Sequence, residues 1–407
     1  MPLDGYSSTS IPARPLRIAL FSGNYNYTVD GANKTLNRLV GHLEQVEGHQ
    51  VRVYSPTAPV PAFPATGDLV SVPSVTIPTR PDYRIALGLP AVIRRDVEAF
   101  APDLVHLSAP DLLGMEALKL ARRMGVPAVA SLHTLFDSYL DYYALGCLKP
   151  ILKRRLQRFY SDCDYVLAPT RALAEQLEAA GLEGQTRIWA RGVDGDLFSP
   201  ARRDPAWRRA HGFDDAQPVI VFFGRLVMEK GLAVFVEAVR RLELSGGAVS
   251  VLVIGDGPAR SWFEEALPDA VFTGFLQGEA LARAIAGGDI FLNPSATETF
   301  GNVNLEAMAS GLALVCADVP NSRALIRHDR TGILCDARDA GAYAGAIRAL
   351  IDQPAERMRL ARAALVESTL YRWPEMLGSV ARVYREALAS HQPALRVRGR
   401  EYALMAG

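Results

Sequence analysis

Pro218-Val-Ile-Val-Phe-Phe-Gly224-Arg-Leu-Val-Met-Glu-Lys230-Gly231 is an apolar run of strand length that stops at a glycine and gives way to a helical pattern. Such a run has no polar face, so it reads as a strand buried on both sides, as in a parallel sheet covered by helices. Arg225 and Lys230 then fall at the carboxyl end of the strand, just before a helix, where open α/β sheets take their ligands. An Arg fork and a Lys point charge at that place suit a diphosphate, each charge-assisted bond contributing about 1.5–3 kcal/mol. The plainer alternative is a surface pair bridging to Glu229.

The same pattern repeats outward from this strand. Short β-branched runs follow at 249–255, 270–272, 290–294, 313–317 and 332–335. Ahead of it, separated by a polar Arg- and Asp-rich connector that runs from Pro200 to Asp215, lie runs at 17–22, 51–54, 104–107, 128–131 and 165–169. Amphipathic stretches at 32–47 and 110–124 stand between them, the second closing at Gly125-Val-Pro127 as a helix stop does. Two doubly wound α/β domains are therefore expected, at 1–200 and 201–372, with a helix and a loosely ordered tail over 373–407. A chain of 407 residues is too long for one ordinary core, which agrees with that division. Two such domains are expected to take a ligand in the cleft they face.

Composition narrows the partners. The 44 basic and 44 acidic residues cancel, so no overall charge points to nucleic acid, and contact with a polyanion has to come from a local patch. Cys147, Cys163, Cys316 and Cys335 lack paired metal-ligand spacing and sit in or beside apolar stretches, which reads as buried reduced thiols. The first fifteen residues lack the apolar core of a secretory signal, and no run reaches the roughly eighteen residues of a membrane span. A cytoplasmic protein is expected.

Glu298-Thr-Phe-Gly-Asn-Val-Asn-Leu-Glu306 places two carboxylates eight residues apart, the first in a loop and the second on a helix. A helix opening near Asn302 or Val303 offers unpaired N–H groups to an anion, and Glu306, one turn inside, accepts hydrogen bonds from a diol. A nucleotide sugar carries both groups. A solvated helix start with a stabilising acid is the bland alternative. Gly255-Asp-Gly-Pro258 follows another strand and reads either as a close backbone approach or as a plain turn. The loop holding Thr28, Gly31, Asn33, Lys34 and Thr35 lacks the glycines of a Walker motif, so ATP hydrolysis of that class is not expected. His133 ends the strand 128–131 and would point into the cleft. Asp194-Gly-Asp196 is literally D-x-D but lies in a turn, and no other cluster has metal-ligand spacing, so neither metal nor cofactor is expected. No serine stands in a strand-turn-helix elbow, and no cysteine in an evident electropositive site.

Taken together, Gly224-Arg-Leu-Val-Met-Glu-Lys-Gly, Gly255-Asp-Gly-Pro, Thr273-Gly-Phe and Glu298-Thr-Phe-Gly-Asn-Val-Asn-Leu-Glu-Ala-Met-Ala-Ser-Gly311 resemble glycosyltransferase family 4, retaining enzymes of GT-B fold. The resemblance spans nearly the whole chain. It implies that Arg225 and Lys230 hold the donor diphosphate, that Glu306 takes the ribose hydroxyls, and that Glu298 with the backbone of Phe300, Gly301 and Asn302 takes the sugar. It also implies that Val303 opens the helix towards the diphosphate and that the base lies near Phe275 and Leu276. Gly31 would lie beside the diphosphate and His133 near the sugar, and the C-terminal helix would cross back to the first domain.

His133-Thr-Leu-Phe-Asp-Ser-Tyr-Leu-Asp-Tyr-Tyr143 and Arg191-Gly-Val-Asp194 are similar to the branch with sulfoquinovosyl- and glucuronosyl-diacylglycerol synthases and GDP-mannose-dependent mannosyltransferases. That branch implies a UDP-sugar donor and a diacylglycerol or ceramide acceptor at the inner face of the cytoplasmic membrane. Lys149, Lys153, Arg154, Arg155 and Arg158 alternate with apolar residues at helical spacing, a pattern that fits an anionic membrane surface or an ordinary basic helix packed on its own domain. Two rivals stand beside this reading. One is a GDP-mannose enzyme or a transferase to a soluble or polysaccharide acceptor; the other is a two-domain binding protein without turnover.

Overall fold

The computed structural model describes residues 14–28, 31–77, 80–132, 149–246, 249–297 and 300–391, and of residues 77, 80–83 and 149–153 the backbone alone. The chain divides into two units, Met1–Trp189 with Pro374–Gly407, and Ala190–Trp373.

In the first unit the strands are β1 (Arg17–Phe21), β2 (Gln50–Ser55), β3 (Asp68–Ser71), β4 (Ser74–Ile77), β5 (Arg80–Ala86), β6 (Leu104–Leu107), β7 (Ala128–Ser131), β8 (Tyr165–Ala168) and β9 (Thr186–Ile188). Seven of them form one parallel sheet in the order β3-β2-β1-β6-β7-β8-β9, while β4 and β5 pair separately as an antiparallel hairpin. In β6 and β7 every residue is buried, His106 and Ser131 among them, as a parallel sheet covered on both faces requires. The helix Leu112–Met124 starts on Asp111, whose carboxylate accepts from Gly114 N, and stops at Gly125 in the left-handed region at φ 68°.

The second unit holds β10 (Val219–Phe223), β11 (Ser250–Ile254), β12 (Val271–Gly274), β13 (Ile290–Asn293), β14 (Ala313–Ala317) and β15 (Ile333–Cys335), ordered β12-β11-β10-β13-β14-β15 and parallel throughout. Both sheets thus reverse their strand order beside the first strand, between β1 and β6 and between β10 and β13. A strand-order reversal leaves a crevice at the carboxyl edge, because the loops on its two sides run to opposite faces.

The last helix, Trp373–Ser390, buries Leu377, Val380, Val383 and Tyr384. Tyr384 OH lies 2.6 Å from His106 Nδ1, and His106 Nε2 lies 2.9 Å from Ser131 Oγ, so a fully buried imidazole joins this helix to β6 and β7.

The polar connector has more structure than its composition suggests. A helix Pro205–Ala210 starts on the Asp204 carboxylate, and Arg208, 1% exposed, turns inward. Its guanidinium donates to Gly287 O, Asp214 O and Gln217 O and meets Asp289 Oδ2 at 3.2 Å. A buried charge needs that many partners, which is why one arginine orders the whole stretch.

Candidate functional site

Loops after β10, β11 and β13 converge at the carboxyl edge of the second sheet. Gly224 N donates to Ile254 O, and Leu226 N to Asp256 O. Gly255 has φ 145°, and a Cβ there would fall 1.9 Å from Gly224 O; a Cβ on Gly257 would fall 2.4 Å from Leu226 O. The Gly255-Asp-Gly-Pro stretch therefore keeps side chains out of a backbone-to-backbone contact that supports the Arg225 loop. On the other side, Gly231 (φ 77°) ends a short turn at Met228–Lys230 and opens the helix Leu232–Leu244. A Cβ on Gly231 would meet Pro294 O at 2.8 Å, and Thr297 Oγ1 donates to Glu229 O at 3.2 Å. The loops after β10 and β13 are thus tied together across the point where the strand order reverses. Arg225 is exposed there and Lys230 half-buried.

After β13 the chain turns at Gly301 (φ 91°) into the helix Asn302–Ala309, whose first turn carries no side-chain cap. Its leading N–H groups are what an anion at this edge would meet. Asn302 opens the helix and Val303 follows it, both half-buried, and Glu306 is half-buried one turn further on. Phe300 is 4% exposed, its ring edge-on to Tyr371 at 6.3 Å, so its side chain belongs to the core and only its backbone faces the site. Two strands away from β10, Gly274 turns at φ 74° into Phe275, 62% exposed, and a half-buried Leu276.

Beneath the Gly301 turn lies a buried amide pair that the sequence reading passed over. Asn293 Nδ2 donates to Asn304 Oδ1 at 2.7 Å, and Asn293 Oδ1 accepts from Ser295 N at 3.1 Å. Asn304 Nδ2 has no partner and sits 3.0 Å from where a Gly301 Cβ would be. An asparagine ending a strand otherwise made of apolar residues was the available signal.

In the first unit, Gly31 begins the helix Gly31–Gln45 and is exposed. Asn33, which departs from the Walker pattern, is 3% exposed and donates to Thr28 O, so it shapes the preceding loop. The helix Lys149–Ser161 turns Phe159 and Tyr160 into the core and leaves Arg154, Arg155 and Arg158 exposed. His133 and Glu298, and the side chains of Lys149 and Lys153, lie outside the described residues. Asp194 Oδ1 accepts from Asp196 N and Leu197 N, which makes the D-x-D pattern a self-capped turn, and the described residues hold no cluster suited to a metal ion. Cys163, Cys316 and Cys335 are buried free thiols, and burial pushes the Cys335 thiol up to about 11, so none is poised as a nucleophile. Arg191 is buried and its guanidinium is pushed down to about 10 by desolvation, which leaves it cationic at neutral pH. No helix among the described residues is long and apolar enough to cross a membrane.

A family model described as Glycosyltransferase Family 4 matches residues 29–197, and one described as Glycosyl transferases group 1 matches residues 217–353. The chain is 33% identical over 378 residues to the GDP-mannose-dependent alpha-mannosyltransferase of Mycolicibacterium smegmatis, covering 92% of this chain and 98% of that protein. Over 370 residues it is 30% identical to the sulfoquinovosyl transferase SQD2 of Arabidopsis thaliana, covering 89% and 72%. Among solved structures, sucrose-phosphate synthase from Thermosynechococcus elongatus matches with a TM-score of 0.73 at 20% identity, over 92% of this chain and 99% of that one.

Proposed function

The chain belongs to glycosyltransferase family 4, with the two Rossmann-like units of the GT-B fold, and on that premise we propose that it transfers a glycosyl group from a nucleotide sugar to the hydroxyl of a membrane lipid. The observation that carries the donor half is the second unit's strand-order reversal, where Arg225, Lys230 and the uncapped start of the helix Asn302–Ala309 share one edge. The diphosphate binds there, Glu306 takes the ribose, the base lies by Phe275 and Leu276, and Glu298 takes the sugar. His133 and Gly31 are carried as further donor-contact candidates by the family resemblance alone.

In this reading the sugar keeps its configuration. The acceptor hydroxyl attacks from the side on which the diphosphate leaves, and a phosphate oxygen of the leaving group takes its proton. The protein's task is electrostatic: Arg225, Lys230 and the helix amides stabilise charge as it grows on the diphosphate, so the step calls for no metal and no protein base.

The lipid half is supported by the naming of the sulfoquinovosyl relative and by the exposed arginines of the helix Lys149–Ser161. The protein would act peripherally at the inner face of the cytoplasmic membrane. For the donor, a UDP-sugar and GDP-mannose are both in contention, the second favoured by the naming of the mannosyltransferase relative. Nucleotide release from UDP-glucose, UDP-glucuronate, UDP-galactose and GDP-mannose, with and without vesicles carrying diacylglycerol or ceramide, tests all of this. Release from one donor stimulated by one lipid is the expected result; release indifferent to lipid replaces the lipid with a soluble acceptor.

A further inference from the structure

The carboxyl edge of the first sheet has a rim whose chemistry the donor site does not use. Asp111 and residue 23 follow β6 and β1, the two strands between which the order reverses. A Cβ on Gly23 would fall 2.4 Å from Asp111 Oδ2, so glycine is what lets this carboxylate reach the loop after β1. Asp111 Oδ1 is occupied by Gly114 N at 2.7 Å. Burial pushes the carboxyl above its ordinary range, and in either protonation state it hydrogen-bonds a hydroxyl.

A closed ring of contacts surrounds it. Tyr27 OH donates to Gly23 O at 2.9 Å and lies 3.3 Å from Arg84 N, which joins the loop after β1 to the hairpin β4–β5. The hairpin's exit is pinned to the helix that Asp111 caps, because Leu89 N donates to Glu116 and Gly88 packs against the same carboxylate.

The outer face of that ring is apolar where solvent-facing strand positions are ordinarily polar. Val75 pairs with Ile85 across the hairpin, and Leu87 shares their face two residues on. They are 49%, 46% and 57% exposed, and Leu112, one turn above Glu116, is 51% exposed. Exposed apolar residues scattered singly need no explanation, but four along one rim do. The basic helix adjoins it: Arg155 Nη2 reaches Met115 Sδ at 4.0 Å on the helix that begins with Leu112. That segment carries five cations and no acid between 149 and 158. An apolar rim beside a cationic face complements the surface of an anionic bilayer.

We propose that this edge of the first unit binds a hydroxyl-bearing lipid at an anionic membrane surface, with the headgroup hydroxyl on Asp111 and the chains on Val75, Ile85, Leu87 and Leu112. The site rests on the lipid-acceptor reading above and adds to it the residues that select the acceptor. None of its residues is among those assigned to the donor, so donor affinity and acceptor choice are separable by mutation.

The test uses the full chain and two acceptors with related headgroups: phosphatidylglycerol vesicles carrying diacylglycerol, and water-soluble monobutyrin. In the pair Ile85→Asp with Leu87→Asp, the ratio of nucleotide release on vesicles to release on monobutyrin falls about tenfold or more. The pair Val75→Thr with Ile85→Thr, which keeps β-branched residues in both strands, lowers the same ratio, and retained nucleotide affinity reports that each variant is folded. Asp111→Asn raises KM for both acceptors, because the hydroxyl contact is common to them. Wild-type stimulation by vesicles that survives both hairpin pairs overturns this site alone. A wild type that vesicles do not stimulate removes the lipid reading itself, and the site with it.

Discussion

At the carboxyl edge of β10 and β13 loops meet through glycines, backbone against backbone, whereas at the matching edge of β1 and β6 they meet through side chains. In the second unit Gly231, Gly255 and Gly257 each stand where a Cβ would collide with a carbonyl oxygen. In the first, Asn33, Asn37, Tyr25 and Tyr27 hold the loop after β1 through amide and hydroxyl bonds, and Asp111 closes on Gly23. One sheet order therefore supports two kinds of mouth. The glycine-built one presents cations and amide N–H groups, fit for a diphosphate; the side-chain-built one holds a largely buried carboxylate beside an apolar rim. The topology decides where a ligand binds, and the loop residues decide which.

Breaking the glycine-built mouth gives the largest expected effect. Gly255→Ala combines φ 145° with a Cβ 1.9 Å from Gly224 O, so the loops after β10 and β11 have to separate. We expect a loss of about 3 kcal/mol or more in urea unfolding, with donor affinity lost as well. Gly48→Ala in the first unit is the control: φ is 71° but nothing lies within 4 Å, and about 1 kcal/mol is expected from backbone strain alone. Equal losses at the two positions would mean that the close approach contributes nothing.

Arg225→Ala sharpens the same comparison at the level of chemistry. Its side chain is exposed, so the fold loses little, while transition-state stabilisation falls by about 2 kcal/mol or more, roughly a thirtyfold fall in turnover. Unchanged turnover with unchanged thermal stability would remove Arg225 from the diphosphate site.

How much of this was legible depended on whether a residue's environment is local. The strands β10 and β14 are continuous apolar runs, β1, β6, β7 and β13 are apolar but for one residue each, and the ends of all six fell within a residue or two of where the sequence placed them. The strands β3, β4, β5 and β9 escaped: three of them have only three or four residues, too few to bear a period that a loop lacks, and β5 opens on Arg80-Pro81-Asp82, which reads as a turn. The places of Arg225, Lys230, Gly301 and Glu306 on the fold were readable because each follows a strand or sits in a helix's first turns. Asn304, Arg208 and Asp111 were not, because Asn304 bonds a residue 11 positions away, Arg208 meets its carboxylate 81 positions away, and Gly23 meets Asp111 only once β1 and β6 are adjacent. His106 was hidden for the same reason, its two partners being 25 and 278 residues distant.

That histidine supplies the smallest effect and a test of how the first unit holds its last helix. His106 is fully buried between Ser131 and Tyr384, and burial pushes its pKa down from 6.5 to about 3. A neutral imidazole satisfies both neighbours with one donor and one acceptor, whereas an imidazolium would place a charge where no carboxylate is bonded to it. Above pH 6.5 both the folded and unfolded chains carry the neutral form, and the stability of this arrangement is fully present. Between 6.5 and about 3 the unfolded chain binds a proton that the folded chain excludes, so stability falls as pH falls. The slope from this one group is at most about 1.4 kcal/mol per pH unit. Urea midpoints measured from pH 7 down to pH 5 should therefore drop more steeply in the wild type than in His106→Gln, whose amide keeps a donor and an acceptor without a titrating site. The substitution shifts the whole curve by its own packing cost, and only the difference in slope reports the imidazole. Parallel curves would show that His106 takes up a proton without opening the contact between the last helix and β6, and that the helix Trp373–Ser390 is held by its apolar face alone.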